Sequence, residues 1–401
     1  MSKTQELLKV VDHYGAHNYL PLPVVLNRAE GSRVWDVEGK SYLDFLSCYS
    51  ALNFGHQNPR LTKALIQQAG KLALCSRAFH SEELCLFSKE LADFVGLDQV
   101  LPMNSGAEAV ETAVKIARKW GYVKRKVSGE ANIIVFENNF HGRTITIVSF
   151  STEPDYKAGF GPFTPGFKSV PFNSVADLEK AIDANTVGVL VEPVQAEAGI
   201  LIPSKGFLKQ VRELCTRKNV LLLMDEIQTG LGRTGRDFCF QHEGAKPDLL
   251  ILGKSLGGGL LPISAVVGRK DVMDVIQPGQ HGSTFGGNPL ACAVAREALA
   301  LLKDSGLSAR SERLGAQAVE MLQAAKLPRV KEVRGLGALI GVELDTSSGG
   351  ARKYCEKIAQ EGVLCKETHT YVIRIAPPLT IEETDLRSGV ETIIRVIRSF
   401  G

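Results

Sequence analysis

Two residues of opposite chemistry close two apolar runs. Asp225 ends Val220-Leu221-Leu222-Leu223-Met224-Asp225, and Lys254 ends Leu249-Leu250-Ile251-Leu252-Gly253-Lys254, after which Ser255-Leu256 leads into Gly257-Gly258-Gly259. Short apolar runs bounded by turn residues read as strands buried on both faces. Each charged residue then stands at a carboxyl end, where open α/β sheets bind ligands. An acid beside a primary amine suits pyridoxal phosphate (PLP): the amine condenses with the aldehyde, and the acid pairs with the pyridinium nitrogen. A surface lysine and a strand-end turn former are the bland alternatives. They do not account for the glycines after Lys254 or for Glu226 and Gln228 beside Asp225.

A phosphate tail needs an anion cradle. Asn104-Ser105-Gly106-Ala107-Glu108-Ala109 follows Val100-Leu101-Pro102-Met103 and leads into a helical pattern with Val110, Ala113, Val114 and Ala117. Small residues at a helix start leave backbone N–H groups for phosphate, helped by the helix dipole. Alone, this segment is as well explained by an ordinary N-cap, and the pair above tips it toward the cofactor. Gly230-Leu231-Gly232-Arg233-Thr234-Gly235 fits G-x-G-x-x-G, but Arg236 to Gln241 starts no amphipathic helix and Asp225-Glu226 would face a pyrophosphate with negative charge. A glycine-rich loop is expected there, not a dinucleotide site.

The elements that must hold these residues are legible in outline. Apolar strands at Asn132 to Glu137, Val187 to Glu192, Val220 to Glu226 and Leu249 to Gly253 alternate with helical patterns, which predicts an α/β fold with a doubly wound, mainly parallel sheet. Val34 to Lys40 predicts a strand closing on a hairpin. From Pro289 a helix capped by Asn288 carries Leu290, Val294, Ala295, Ala298 and Leu302 on one stripe, and strands follow at Gly337 to Leu344 and Tyr371 to Ala376. The expected organisation is an N-terminal segment 1–40 packing with the small domain, a large PLP-binding domain 41–290 and a small α+β domain 291–401.

Composition narrows the function classes. With 401 residues, 44% of them hydrophobic, the chain can bury a large core. A net charge of +3 from 47 basic and 44 acidic residues is nearly balanced and carries no basic stripe for nucleic acid. The eight cysteines form no C-x-x-C pair or compact cluster, so reduced thiols in the cytoplasm are expected and no metal site. His56 and His281 also lack metal-ligand spacing and are expected to be structural. No run approaches the roughly twenty apolar residues of a membrane span.

Asp225-Glu226-Ile227-Gln228-Thr229-Gly230, the Lys254 segment, Asn104-Ser105-Gly106, Phe140-His141-Gly142-Arg143-Thr144 and Gly282-Ser283-Thr284-Phe285-Gly286-Gly287-Asn288-Pro289 together resemble class III PLP-dependent aminotransferases, enzymes of PLP fold type I. A narrower resemblance, to members acting on ornithine, rests on His17-Asn18-Tyr19-Leu20-Pro21-Leu22-Pro23, Ser76-Arg77-Ala78-Phe79, Ala117 to Tyr122, Gly159 to Phe163 and Arg374 to Pro378. It implies transfer of the δ-amino group of L-ornithine to 2-oxoglutarate, giving glutamate-5-semialdehyde, which cyclises to pyrroline-5-carboxylate, and glutamate. N-acetylornithine or 4-aminobutyrate are the rival donors, and a PLP-fold protein that binds without turnover is the rival class.

The same resemblance implies the site roles. Lys254 carries the cofactor and moves the proton, and Asp225 keeps the ring nitrogen protonated. Phe140 and Ile227 stack on the ring faces and Gln228 bonds the phenolic oxygen. Ser105, Gly106 and Ala107 cradle the phosphate, which Thr284, next to Ser283, reaches from a neighbouring subunit, so that the working unit is a homodimer or a dimer-based oligomer. Glu197 masks Arg374 while ornithine is bound and releases it for the α-carboxylate of 2-oxoglutarate. Arg143 takes the other carboxylate, Tyr19 positions ornithine and Tyr49 stands at the pocket mouth. Two residues depart from the pattern: Ala196 precedes Glu197 where glycine is usual, and His141 stands where ornithine-using members often carry tryptophan.

Overall fold

The computed structural model describes residues 1–400. Near the N-terminus, β1 (Leu26–Glu30), β2 (Arg33–Asp36) and β3 (Ser41–Asp44) form an antiparallel ribbon. The middle of the chain supplies β4 (Gln99–Met103), β5 (Asn132–Phe136), β6 (Phe167–Val170), β7 (Thr186–Val191), β8 (Leu221–Asp225), β9 (Leu249–Leu252) and β10 (Ser264–Gly268). These make one seven-stranded sheet in the order β4-β10-β9-β8-β7-β5-β6. Its strands from β9 to β6 are parallel neighbours, and β10 runs antiparallel to both β4 and β9.

Why these runs are apolar throughout follows from where they sit. Every residue of β7, β8, β9 and β10 is buried, as a sheet covered on both faces requires. Successive side chains alternate between faces. Leu221 and Leu223 pack with the helix Gly106–Trp120, through its Ala109, Val110 and Ala113, on one face. Leu222 and Met224 join Phe207, Val211 and Val294 on the other. The helix Pro289–Asp304 starts as expected, with the Asn288 side chain accepting a hydrogen bond from the Ala291 N–H at 2.9 Å. Its stripe of Val294, Ala295, Ala298 and Leu302 belongs to this second face of the large sheet, so the helix lies across the expected boundary at 290.

The C-terminal third adds β11 (Val330–Leu336), β12 (Leu339–Leu344), β13 (Val363–Leu364), β14 (Lys366–Thr368) and β15 (Val372–Ile375). A four-stranded antiparallel sheet runs β11-β12-β15-β14, with its own core around Ile340, Val342, Tyr354, Ile373 and Ile393. β13 instead pairs in parallel with β3, Val363 opposite Leu43, which ties the N-terminal ribbon to the C-terminal third. Before that ribbon, the helix Lys3–Tyr14 has a Ser2/Gln5 capping box and buries none of its residues. Its Val10, Val11 and Tyr14 face outward.

Candidate active site

Adjacent strands bring the acid and the amine together. Asp225 is the last residue of β8 and pairs with Ile251 of β9, whose chain continues two residues beyond its end to Lys254. Asp225 and Lys254 line one cavity of about 130 Å³ with Phe140, His141, Ile227 and Gln228. Lys254 holds φ at 45°, in the left-handed region, and the chain then turns through Gly258 and Gly259 at φ 62° and 73°. A Cβ on Gly258 would stand 2.9 Å from Leu61 Cδ1, and one on Gly259 2.4 Å from Leu52 Cδ2. Only glycine fits there. Loss of water around the Lys254 amine, followed by the nearby Arg374 charge, lowers its pKa to about 8.

Asp225 is aimed by two donors. Its Oδ1 accepts from the Ile227 N–H at 3.0 Å, and its Oδ2 lies 2.6 Å from Nδ1 of the fully buried His141 ring. Sequence reading noted His141 only as a departure from pattern and missed this contact. The Phe140 N–H donates to Glu192 Oε1 at 2.8 Å. Burial, then the neighbouring Asp225, pushes the Glu192 carboxyl well above the usual range. Glu226 turns away from the cavity: its carboxylate accepts from the N–H groups of Cys239 and Phe240 at 2.6 and 2.7 Å.

The segment expected to cradle phosphate has the form of a helix start. Ser105 caps the helix Gly106–Trp120: its Oγ accepts from the Glu108 N–H at 3.2 Å, and Glu108 accepts from the Ser105 N–H at 2.6 Å. The Ser105 Oγ accepts within the cap and keeps its own O–H free to donate, and the N–H groups of Gly106 and Ala107 have no partner among the described residues. They are free to donate to an anion. A Cβ on Gly106 would stand 2.9 Å from Ile227 Cδ1, so the small residue keeps this end of the cavity open. A carboxylate and an amine at one end and unpaired helix N–H groups at the other fit a phosphorylated pyridine aldehyde.

Glu197 and Arg374 meet beside this cavity. Arg374, in β15, is fully buried and donates from Nη1 to Glu197 Oε1 at 2.9 Å and from Nη2 to Gln228 Oε1 at 3.0 Å. Gln228 in turn donates from Nε2 to Glu197 at 3.2 Å. Gln228, expected to serve a cofactor oxygen, therefore spends its carbonyl and one N–H on the charged pair, which leaves its second Nε2 hydrogen. The Arg374 guanidinium lies 5.1 Å from the Tyr49 ring centre. Tyr49 sits in a turn whose residues Ser47, Cys48, Tyr49 and Ser50 all have φ between 46° and 72°. Such backbone costs roughly 1–2 kcal/mol per non-glycine residue, and Asp44 helps hold it by accepting from the N–H groups of Leu46 and Ser47 at 2.9 and 2.8 Å.

Other expected residues are placed less directly. Arg143 is exposed, with its guanidinium 3.6 Å from the ring centre of Tyr156, a residue that sequence reading missed because its segment carries no motif. Tyr19 lies outside the pocket and is 80% exposed; the helix before it buries none of its residues and meets the ribbon through the Thr4 N–H, which donates to Glu38 Oε1 at 2.9 Å. Ser283 accepts from Asn104 Nδ2 at 2.9 Å, and Thr284 is exposed and absent from the cavity lining of its own chain.

The family described as aminotransferase class-III matches residues 14–397. An ornithine aminotransferase of Brevibacillus brevis is 52% identical over 99% of both chains. The crystal structure of an ornithine aminotransferase from Toxoplasma gondii superposes with a TM-score of 0.98 at 46% identity, covering 100% of this chain and 96% of that one. An acetylornithine aminotransferase from Elizabethkingia anophelis superposes at 0.91 with 48% identity, each chain fully covered. With PLP fold type I geometry around Lys254 and Asp225 and a family match over nearly its whole length, the chain belongs to the class-III aminotransferases, enzymes that use PLP.

Proposed function

We propose that the protein transfers the δ-amino group of L-ornithine to 2-oxoglutarate, giving glutamate and glutamate-5-semialdehyde, which cyclises to pyrroline-5-carboxylate and so links ornithine to proline metabolism. The observation that carries this reading is the Glu197–Arg374 ion pair beside Lys254. A pocket that admits a cationic donor and then a dicarboxylate needs an arginine that can be masked and unmasked. The names of the relatives at 52% identity support the same donor. Eight free cysteines suit a reducing compartment, and we assign the enzyme to the cytoplasm.

When bound, PLP supplies an aldehyde that takes the amino group and a ring that accepts the electron pair left on carbon. Asp225, oriented by His141 and the Ile227 N–H, keeps the ring nitrogen protonated. Gly106 and Ala107 donate backbone N–H groups to the phosphate. Phe140 and Ile227 hold the ring faces. Lys254 Nζ would hold the cofactor and would serve as the base that moves a proton at the carbon bearing the amine. Arg374, freed from Glu197, grips the α-carboxylate of 2-oxoglutarate; Arg143 takes the distal one. Thr284 reaches the phosphate in a second copy of the chain, so the enzyme works as a homodimer or a dimer-based oligomer.

N-acetylornithine is the competing donor, favoured by the 48% identity to the Elizabethkingia enzyme. Its amide carries no charge, so it gains nothing from a masked arginine. Ornithine, N-acetylornithine and 4-aminobutyrate are supplied separately with 2-oxoglutarate, and semialdehyde and glutamate are followed. Ornithine is expected to give the highest kcat/KM, and a large excess for acetylornithine would overturn the assignment.

A further inference from the structure

The loop that carries Thr284 is laid along the helix whose first turn forms the phosphate cradle. Three residues of that helix, Thr112, Lys115 and Lys119, share one face at spacings of three and four. Lys119 Nζ meets Gln280 Oε1; Lys115 Nζ donates to His281 Nδ1 at 2.8 Å; and His281 Nε2 lies 2.8 Å from Thr112 Oγ1. An ammonium can only donate, so Nδ1 is the acceptor and the Nε2–H faces Thr112, whose own hydroxyl donates to the Glu108 carbonyl at 2.7 Å. At the helix start, Asn104 Nδ2 donates to Ser283 Oγ, which also accepts from the Gly286 N–H at 3.0 Å. Thr284, the next residue, is exposed, and Phe285 beside it is 56% exposed.

We propose that His281 is a positioning residue for the neighbouring subunit's cofactor, not for its own. By bridging Thr112 and Lys115 it holds the 280–287 loop against the helix, so that Thr284 is presented outward to the phosphate in the second copy. One helix thereby serves two sites: its first turn binds the phosphate of its own subunit, and its flank fixes the residue that completes the other. The inference rests on the two-chain active site proposed above.

Mixed dimers separate the two sites. Apo-protein is titrated with PLP, and the visible band of the lysine-bound cofactor reports binding. His281→Ala homodimers are expected to bind PLP about tenfold more weakly, the loss of one hydrogen-bonded contact. In a hybrid of one His281→Ala chain with one Lys254→Ala chain, the remaining lysine site takes its Thr284 from the chain with intact His281. Affinity should return to within twofold of wild type. His281→Gln and Thr112→Val homodimers, whose apo-protein melting is compared first, provide the same reading if His281→Ala folds poorly. A hybrid of Thr284→Ala with Lys254→Ala is the control for the two-chain site. Recovery in both hybrids supports the proposal. Recovery with Thr284→Ala but persistent weakness with His281→Ala overturns the role of His281 alone, and no recovery with Thr284→Ala overturns the two-chain reading together with it.

Discussion

At the scale of single residues, the chemistry turns on how two charges are tuned by their neighbours. The Lys254 amine, with its pKa lowered to about 8 by loss of water and by Arg374, is largely protonated at pH 7 and free above pH 8, some two units before an ordinary lysine. Reaction of apo-protein with an amine-selective reagent should therefore label Lys254 with a midpoint near pH 8. A midpoint near that of an exposed lysine would count against the environment described. Lys254→Ala should lose the visible cofactor band altogether. Glu197 is balanced differently: it pairs with Arg374 at 2.9 Å, and the proposed mechanism needs that pair in the cationic-donor half-reaction alone. Glu197→Ala is expected to cut kcat/KM for ornithine by tenfold or more while leaving that for 2-oxoglutarate within about threefold, because truncating one partner of a buried pair leaves the other exposed to the wrong charge. Equal losses in the two half-reactions, measured by single turnover, would remove the masking role.

At the scale of elements, two turns at the cavity are packed against each other. The left-handed turn Ser47–Ser50 carries Tyr49, and Leu52 just beyond it lies under Gly259 of the turn that follows Lys254. Gly259→Ala would drive a Cβ to 2.4 Å from Leu52 Cδ2 at φ 73°, a contact and a conformation that both resist a side chain. Unfolding measurements should record a loss of about 1–3 kcal/mol, accompanied by a raised KM for ornithine. An unchanged KM would separate the Lys254 turn from Tyr49. The glycines after Lys254 were legible as a special turn because their spacing follows a buried strand. The Ser47–Ser50 turn was not legible, because nothing in Ser-Cys-Tyr-Ser announces positive φ; tertiary support from Asp44 overrides local preference there. The same holds for His141 and Asp225, which lie 84 residues apart in sequence and meet only because β5 and β8 end on the same side of the sheet.

At the scale of the whole molecule, the glycine-rich loop that resembles a dinucleotide turn is a joint between the large sheet and the C-terminal third. Arg233 within it is fully buried. Its Nε and Nη2 donate to Asn53 Oδ1 at 3.1 and 2.6 Å, and its Nη1 donates to the carbonyls of Ala338 and Pro377 at 3.0 and 2.7 Å. Asn53 passes the connection to Ser255 Oγ at 3.2 Å, next to Lys254, while Pro377 lies three residues beyond Arg374. Periodicity identified the parallel sheet and the strands that lead to Lys254 and carry Arg374, but the joint depends on three side chains and two carbonyls from five separate segments, which no local pattern encodes. Arg233→Met keeps the apolar stem and strands three buried acceptors, so the folded state should lose about 3 kcal/mol. Because the lost bonds tie the strand of Arg374 to the turn of Lys254, KM for 2-oxoglutarate should rise severalfold while the cofactor band of the folded protein is preserved. A variant with wild-type KM would mean that the two halves of the pocket keep their registration without this arginine.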